Sequence, residues 1–213
     1  MITLPPERRE RLHRRVRFIV ACTITYNVLE AIIAIAAGVL ASSAALIGFG
    51  LDSVVEVLSA VAIAWQFTRK DPERWEKVTV RAIGLAFFTL AAYVTIDAIL
   101  SLVAQEGPEH SPLGIGITAL SLVVMPLLAW FEIRTGRELQ SRSVLADARQ
   151  LLLCVYLSGA VFIGLILNSL FGWWWADSVA ALVVAALAVR EGIEAWSGDV
   201  ESPFDVLNEM KGE

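Results

Sequence analysis

Six long apolar stretches, separated by short polar connections, dominate the sequence. A helix that crosses the roughly 30 Å core of a bilayer needs about 20 mostly apolar residues. Stretches close to that length run over Val16–Leu40, Ala44–Phe67, Thr79–Ala104, Leu113–Ile133, Val144–Leu170 and Trp173–Arg190. Ser42-Ser43 and Gly107-Pro108 fall between such stretches and are typical of turns. The pattern therefore predicts an all-α integral membrane protein, a bundle of six transmembrane helices.

The basic residues fall on one side of such a bundle. All 17 Lys and Arg residues precede or begin span one, follow span six, or surround the connections between spans two and three and between spans four and five. Because cytoplasmic loops are enriched in Lys and Arg, we expect both termini to be cytoplasmic. Residues 1–15 are then a basic cytoplasmic segment, residues 16–196 the transmembrane domain and residues 197–213 a short cytoplasmic tail.

Composition supports the same class of protein. Hydrophobic residues make up 57%, the mean hydropathy is +0.66 and charged residues make up only 18%, against about 25% in soluble chains. These values argue against disorder and against a soluble enzyme. Cys22 and Cys154 both fall inside predicted spans, which is not the pattern of a secreted disulfide framework. We expect the lipid bilayer of the plasma (inner) membrane as the environment, and no nucleic-acid partner.

A small set of polar side chains falls inside the predicted spans. Ionisable groups at mid-bilayer cost several kcal/mol and tend to mark function. Asp52 and Glu56 are four residues apart on span two, so they share one helix face. Asp147, Gln150 and Cys154 follow at i, i+3 and i+7 on span five. Each of these stripes is expected to face the protein interior rather than lipid.

The two stripes are predicted to meet in the middle of the membrane. With a rise of 1.5 Å per residue, Asp52 lies roughly 12 Å from the outer boundary and Cys154 roughly 15 Å from the inner one. Two carboxylates and a thiol at one depth predict a divalent-cation site, and a thiolate favours zinc over magnesium or calcium. Gln150 is a candidate fourth ligand. The alternatives are an interhelical hydrogen bond for Gln150 and a small buried apolar role for Cys154.

Three other polar residues are candidates for supporting roles. Asn27 and Glu30 lie on span one, where they are expected to support the ligands, carry protons or serve structure. Asp147 lies near the cytoplasmic end of span five, where it is either an ion-pair partner of Arg149 or a functional group: a cytoplasmic gate, an extra ligand or part of the proton path. His13 and His110 fall outside the spans, so no histidine is available inside the membrane.

With these residues in place, the chain resembles the cation diffusion facilitators, also called cation efflux proteins. The segment from Gly38 to Glu56 is similar to the family's motif in spans one and two, where a glycine and small residues precede an Asp-x-x-x-Asp metal pair. Leu145-Ala-Asp-Ala148 is similar to the family's Ala-Asp element in span five. Gly172-Trp-Trp-Trp-Ala-Asp177 is similar to the start of its span six. The resemblance covers 25–196.

The resemblance also has departures. Glu56 stands where the family has a second Asp, and Gln150 and Cys154 stand where it has His and Asp. We find neither the cytoplasmic metal-binding domain nor the histidine-rich loop in the sequence, and therefore expect a transmembrane-only branch.

The resemblance implies a divalent metal cation transporter, with zinc efflux by metal–proton exchange through a site between spans two and five. Cadmium, iron or manganese are alternative cargoes, and a homodimer is implied. The rival hypothesis is a membrane metal sensor or assembly subunit that binds metal without moving it. An enzyme is not expected, since there is no His-Glu-x-x-His helix and no histidine inside a span.

Overall fold

The fold is known from a computed structural model, which describes residues 6–67, 72–105, 107–139 and 142–197. All the regular structure in these four ranges is α-helical, which confirms the predicted class. The helices are α1 (Pro6–Ala41), α2 (Ala44–Phe67), α3 (Pro72–Ala104), α4 (Pro112–Leu139), α5 (Arg142–Phe171) and α6 (Trp175–Ser197).

The helix termini agree with the predicted spans at one end of the bundle, and the helices extend beyond the predicted spans at the other end. At the end predicted to be outer, each helix terminus lies within two residues of the predicted boundary. At the basic end, α1 begins at Pro6 and α6 continues to Ser197. Residues 6–15 of the predicted basic segment are thus helical. The reason is that hydropathy reports only the part of a helix that lies in hydrocarbon, whereas the backbone continues its hydrogen bonding into polar sequence.

Helix α2 is the centre of the bundle. The other helices form a sequence of neighbours in which α1 packs on α4, α4 on α5, α5 on α6 and α6 on α3, and α2 contacts α1, α3, α5 and α6. In the apolar part of α2, 61% of residues are buried, against 28–39% in the corresponding parts of α1, α3, α4 and α5. A polar side chain on α2 is therefore more shielded from lipid than one elsewhere.

Five helices are long and apolar enough to cross a membrane by themselves. They are α1 to α5. Helix α6 carries Asp177 near its start and Arg190 and Glu191 near its end, so its uncharged stretch is shorter. It packs along α3 and α5, with Ala181 and Val184 wholly buried. The partners of α6, more than its own hydropathy, thus account for its place in the bundle.

Polar contacts fasten α6 to the turn between α1 and α2. Ser42 in this turn has a positive φ of 53°. Ser43 caps α2 through its hydroxyl, which accepts a bond from Leu46 N at 3.1 Å, and the same hydroxyl donates to Asp177 Oδ1 at 2.5 Å. Asp177 Oδ2 accepts a further bond from Ala45 N at 3.3 Å. Asp177 therefore closes the first turn of α2, which is a structural explanation for an acid in this apolar setting.

Candidate metal site

Asp52, Glu56 and Cys154 come together where α2 faces α5. One ligand atom from each lies within 4.8 Å of the others. The Cys154 thiol donates to Glu56 Oε1 at 2.6 Å and lies 3.9 Å from Asp52 Oδ2. All three side chains are buried, at 5%, 8% and 0% exposure respectively. The predicted meeting of the two stripes is thus what the structure has.

The spacing of these atoms is close to that of a tetrahedral zinc site. Zinc bonds of about 2.1 Å to oxygen and 2.3 Å to sulfur set ligand atoms roughly 3.5 Å apart. The Cys154–Asp52 distance of 3.9 Å needs little change. The Cys154–Glu56 distance of 2.6 Å has to lengthen by about 1 Å.

Gln150 lies beside the three clustered side chains. It lines a small cavity of about 10 Å³ together with Asp52 and Glu56, between walls formed by Phe87, Leu153, Leu157, Leu187 and Ala188. A space of this size holds about one water molecule, and hence one ion that replaces that water. The cavity therefore gives the amide oxygen of Gln150 access to whatever the two carboxylates bind.

Asn27 reaches the site from α1. Its Nδ2 donates to Glu56 Oε2 at 2.6 Å, while Glu56 Oε1 accepts from the Cys154 thiol. Each oxygen of the carboxylate thus has a donor, and the side chain is held in one orientation. A supporting role of Asn27 at the site stays a prediction, alongside the structural one.

Glu30 lies outside the cluster but is connected to it through hydroxyl groups. Its side chain is fully buried and accepts a bond from Ser53 Oγ at 2.8 Å. The hydroxyl of Ser121 also faces Glu30 and lies 2.9 Å from Ser158 Oγ. Ser158 in turn donates to the carbonyl of Cys154 at 2.6 Å. A polar row therefore links α1 to α5 behind the cluster.

Asp147 cannot be placed in the same way. It belongs to the first turns of α5, but its side chain lies outside the described residues, as does that of Arg149. Both alternatives for Asp147 stay predictions.

Two further acids near these residues were missing from the sequence-based candidates. Glu191 on α6 lines the same cavity as Asp52 and Glu56. Glu132 on α4 is 1% exposed and accepts a long bond from Thr23 Oγ1 at 3.5 Å. Glu191 falls just after the predicted end of span six, yet its spacing of seven from Val184 places it on the buried face of α6. That spacing was the signal that could have found it.

Acids dominate the polar lining of the cavity. Asp52, Glu56 and Glu191 all line it, and none of its described lining residues is basic. Carboxylates that share a small low-dielectric space repel one another unless cations or protons compensate them. The arrangement is therefore chemically suited to take up a divalent cation or protons.

Buried acids among apolar helices mark a functional site in a membrane protein. Residues 20–197 match the family model of the cation efflux transmembrane domain. The chain therefore belongs to the cation efflux family, as its resemblance had implied. This family comprises transporters, and the match indicates no enzymatic family.

Three relatives illustrate the range of named cargoes. The chain is 28% identical to an uncharacterized transporter of Methanocaldococcus jannaschii, over 79% of this chain and 62% of the relative. It is 25% identical to the manganese efflux system protein MneP of Bacillus subtilis, over 81% and 62%. It is 26% identical to a cadmium, cobalt and zinc/H(+)-K(+) antiporter of Bacillus velezensis, over 78% and 55%. The chain thus spans about three fifths of the length of these relatives.

Proposed function

We propose that this protein exports a divalent metal ion, zinc in the first place, in exchange for protons. Asp52, Glu56, Cys154 and Gln150 are its proposed ligands. The observation that carries the proposal is the buried cluster of two carboxylates and a thiol whose ligand atoms lie within 4.8 Å of one another. Bringing such groups together in the middle of an apolar bundle costs folding free energy, and a cation that they bind offsets that cost.

The donor set supports zinc over manganese. One relative is named for manganese and another for cadmium, cobalt and zinc, so family membership leaves the cargo open. Thiolate ligands suit zinc and cadmium, whereas manganese prefers carboxylate, carbonyl and water oxygens. Cys154 contributes the sulfur, and it is wholly buried against the two acids. Cadmium is the second candidate, and iron and manganese follow.

Proton exchange follows from the same contacts. In the metal-free arrangement the thiol proton of Cys154 lies between sulfur and Glu56 Oε1. Metal ligands must be deprotonated, so binding of the ion at this site releases that proton. When the site faces the cytoplasm it loads metal and loses protons, and when it faces outward protons displace the metal. An inward proton gradient then drives metal export.

The packing of α2 allows such alternating exposure. Helix α2 contacts α5 along a short seam and packs much more extensively on α1 and α3. The proposed ligands sit on the two sides of that seam. A rocking motion of the α4–α5 pair, which also shifts its contacts with α1 and α6, opens the seam at either end, as rigid-body alternating access requires.

The test is metal flux by purified protein in liposomes that contain a metal-sensitive dye and a pH-sensitive dye. Zinc, cadmium, manganese and iron are added with and without a pH gradient. Wild-type protein is compared with Asp52→Asn and Glu56→Gln, which are expected to abolish flux. Asp97→Asn is the matched control, because Asp97 is an acid inside α3 that does not line the cavity.

Three outcomes separate the hypotheses. Zinc flux with opposite proton movement, lost in Asp52→Asn but kept in Asp97→Asn, supports an exchanger that uses this site. Tight zinc binding without flux would favour the non-transporting sensor or assembly subunit. Flux that survives in both ligand variants would overturn the site assignment.

A further inference from the structure

A second cavity, much larger than the first, lies between α1 and α4. It has a volume of about 860 Å³, within the range of about 300–1,000 Å³ that is usual for ligand sites. Its described lining comes from these two helices alone: Arg11, Arg14, Arg15, Phe18, Ile19, Cys22, Leu128, Phe131, Arg134, Thr135 and Glu138. We call this cavity the α1–α4 groove. None of the proposed metal ligands lines it.

The chemistry of the groove changes along its length. On α1, Arg11, Arg14 and Arg15 give way to Phe18 and Ile19 with helical spacing, so they share one face. On the antiparallel helix α4, Arg134 gives way to Phe131 and then Leu128. Both walls are therefore basic at the end of the bundle that holds the α1 N-terminus and apolar further into it. The groove spans roughly 16 Å from Arg11 to Cys22, at 1.5 Å per residue.

The basic end has a clear charge excess. Four arginines line it, against one acid, Glu138, which lies 4.0 Å from Arg134. An exposed pair at that distance is weak and leaves the arginine available. The described lining of the groove therefore carries more basic than acidic side chains. Such a rim repels metal cations, so the groove is a poor access route to the metal site and a good site for an anion.

The apolar end is accessible to lipid. Phe18 is 70% exposed and Phe131 is 49% exposed, and both lie in helices that are apolar enough to span a bilayer. A ligand for the whole groove must therefore have an anionic group at one end and a long apolar part at the other. Free phosphate matches the first requirement and leaves the apolar walls uncovered.

We propose that the α1–α4 groove binds one anionic phospholipid. Its phosphate lies among Arg14, Arg15 and Arg134, and an acyl chain runs along Phe18 and Phe131. Basic pockets between transmembrane helices at the cytoplasmic side are suited to anionic headgroups. A second copy of this chain is a poorer occupant, since a two-fold interface here would bring two arginine rims together.

The experiment is a lipid titration of the purified full-length protein in neutral detergent. Dioleoyl phosphatidylglycerol and dioleoyl phosphatidylcholine share acyl chains and differ in headgroup charge. Retained lipid is counted by native mass spectrometry. We expect one tightly retained phosphatidylglycerol, with affinity about tenfold or more above that for phosphatidylcholine, because each arginine near an anionic headgroup contributes severalfold.

The variants place the lipid in the groove. The triple variant Arg14→Gln, Arg15→Gln, Arg134→Gln is expected to lose about tenfold or more in phosphatidylglycerol affinity. Arg81→Gln is the matched control: Arg81 is an exposed arginine near the same end of the bundle, where it stacks on Trp196 at 5.6 Å, and it does not line the groove. Its affinity is expected to stay within about twofold of wild type. Single Arg15→Gln and Arg134→Gln variants serve if the triple variant is poorly folded.

The opposite results are equally specific. Equal affinity for the two lipids, or equal losses in the triple variant and Arg81→Gln, would overturn the proposal. Displacement of the lipid by excess inorganic phosphate would make the groove a simple anion site. A change in oligomeric state without a change in lipid retention would make it an interface between copies. Zinc binding by each variant serves as the check that the fold is intact.

Discussion

The hydrogen bond from Asn27 to Glu56 makes the sharpest prediction about the proposed metal site. Asn27 lies on α1 and is not itself a proposed ligand. Its Nδ2 donates to Glu56 Oε2 at 2.6 Å, while the Cys154 thiol donates to the other carboxylate oxygen, Oε1. Asn27→Ala removes the donor and leaves a buried carboxylate oxygen without it. The change therefore acts on metal binding through the orientation and charge of Glu56.

The size of the effect can be worked out from this one bond. A hydrogen bond to a charged group contributes about 1.5–3 kcal/mol, which corresponds to roughly 10- to 150-fold in an equilibrium constant at 25 °C. A second estimate comes from known metal sites, where the loss of a residue that orients a ligand lowers metal affinity by about 10- to 100-fold. We therefore expect Asn27→Ala to weaken zinc binding by about 10- to 100-fold. Zinc and manganese should lose affinity to a similar degree, because the perturbed ligand is an oxygen.

The assay is equilibrium zinc and manganese binding to purified protein in lipid nanodiscs. Asn168→Ala is the matched control. Asn168 is also buried, and its Nδ2 donates to the carbonyl of Pro108 at 2.8 Å, at the end of the bundle predicted to be outer. Both substitutions remove one buried asparagine hydrogen bond, but only Asn27→Ala touches the site. Zinc affinity within twofold of wild type in Asn27→Ala, or an equal loss in Asn168→Ala, would refute the reasoning.

Four further predictions follow from other contacts. Cys154→Ser should weaken zinc and cadmium binding more than manganese binding, because it replaces the only sulfur in the cluster. If competition titrations show that all three metals lose affinity equally, Cys154 is not a ligand. Glu191→Gln should weaken zinc binding less than Asp52→Asn, since Glu191 lines the cavity outside the three-residue cluster; calorimetry with the reverse order would make Glu191 a ligand. Asp177→Ala should cost about 1–3 kcal/mol of stability and lower the melting temperature without changing zinc affinity, because Ser43 and an α2 amide lose their acceptor. A loss of zinc affinity at unchanged melting temperature would contradict the structural role of Asp177. Zinc affinity should fall as pH falls, because protons compete for the ligands; pH-independent binding would argue against proton exchange.

Topology and assembly remain predictions of the sequence. The distribution of Lys and Arg predicts that both termini face the cytoplasm, which reporter fusions at each end can test. A reporter that is active on opposite sides at the two ends would contradict an even number of crossings. The homodimer implied by the family resemblance can be tested by the mass of the protein in nanodiscs.

Local sequence was sufficient to predict the helices and the polar stripes on them. A chain in hydrocarbon must satisfy its backbone hydrogen bonds within each segment, so a long apolar stretch has one solution, the helix. The i, i+4 spacing likewise placed Asp52 and Glu56 on one face before any contact was known.

Hydropathy alone did not identify the acids near the ends of the spans as candidates for the protein interior. Glu132 and Glu191 lie where the apolar stretches of α4 and α6 finish, so their own neighbours in sequence give little sign of burial. Glu132 is nevertheless almost fully buried, and Glu191 lines the cavity with Asp52. Other helices contribute the cover: Thr23 of α1 bonds to Glu132, and residues of α2, α3 and α5 line the cavity beside Glu191. A count of apolar residues along one helix carries no information about that cover.

What the sequence by itself determined is thus the set of helices, their polar faces and the basic end of the bundle. What only the tertiary structure decided is which faces meet. Cys154 and Glu56 are 98 residues apart in the chain and 2.6 Å apart in space, and the arginines of α1 face Arg134 of α4 across one groove. Helix formation depends on neighbours within a turn or two, whereas these sites depend on how α2 packs among α1, α3, α5 and α6. That packing is a property of the whole chain and cannot be assigned to any one segment.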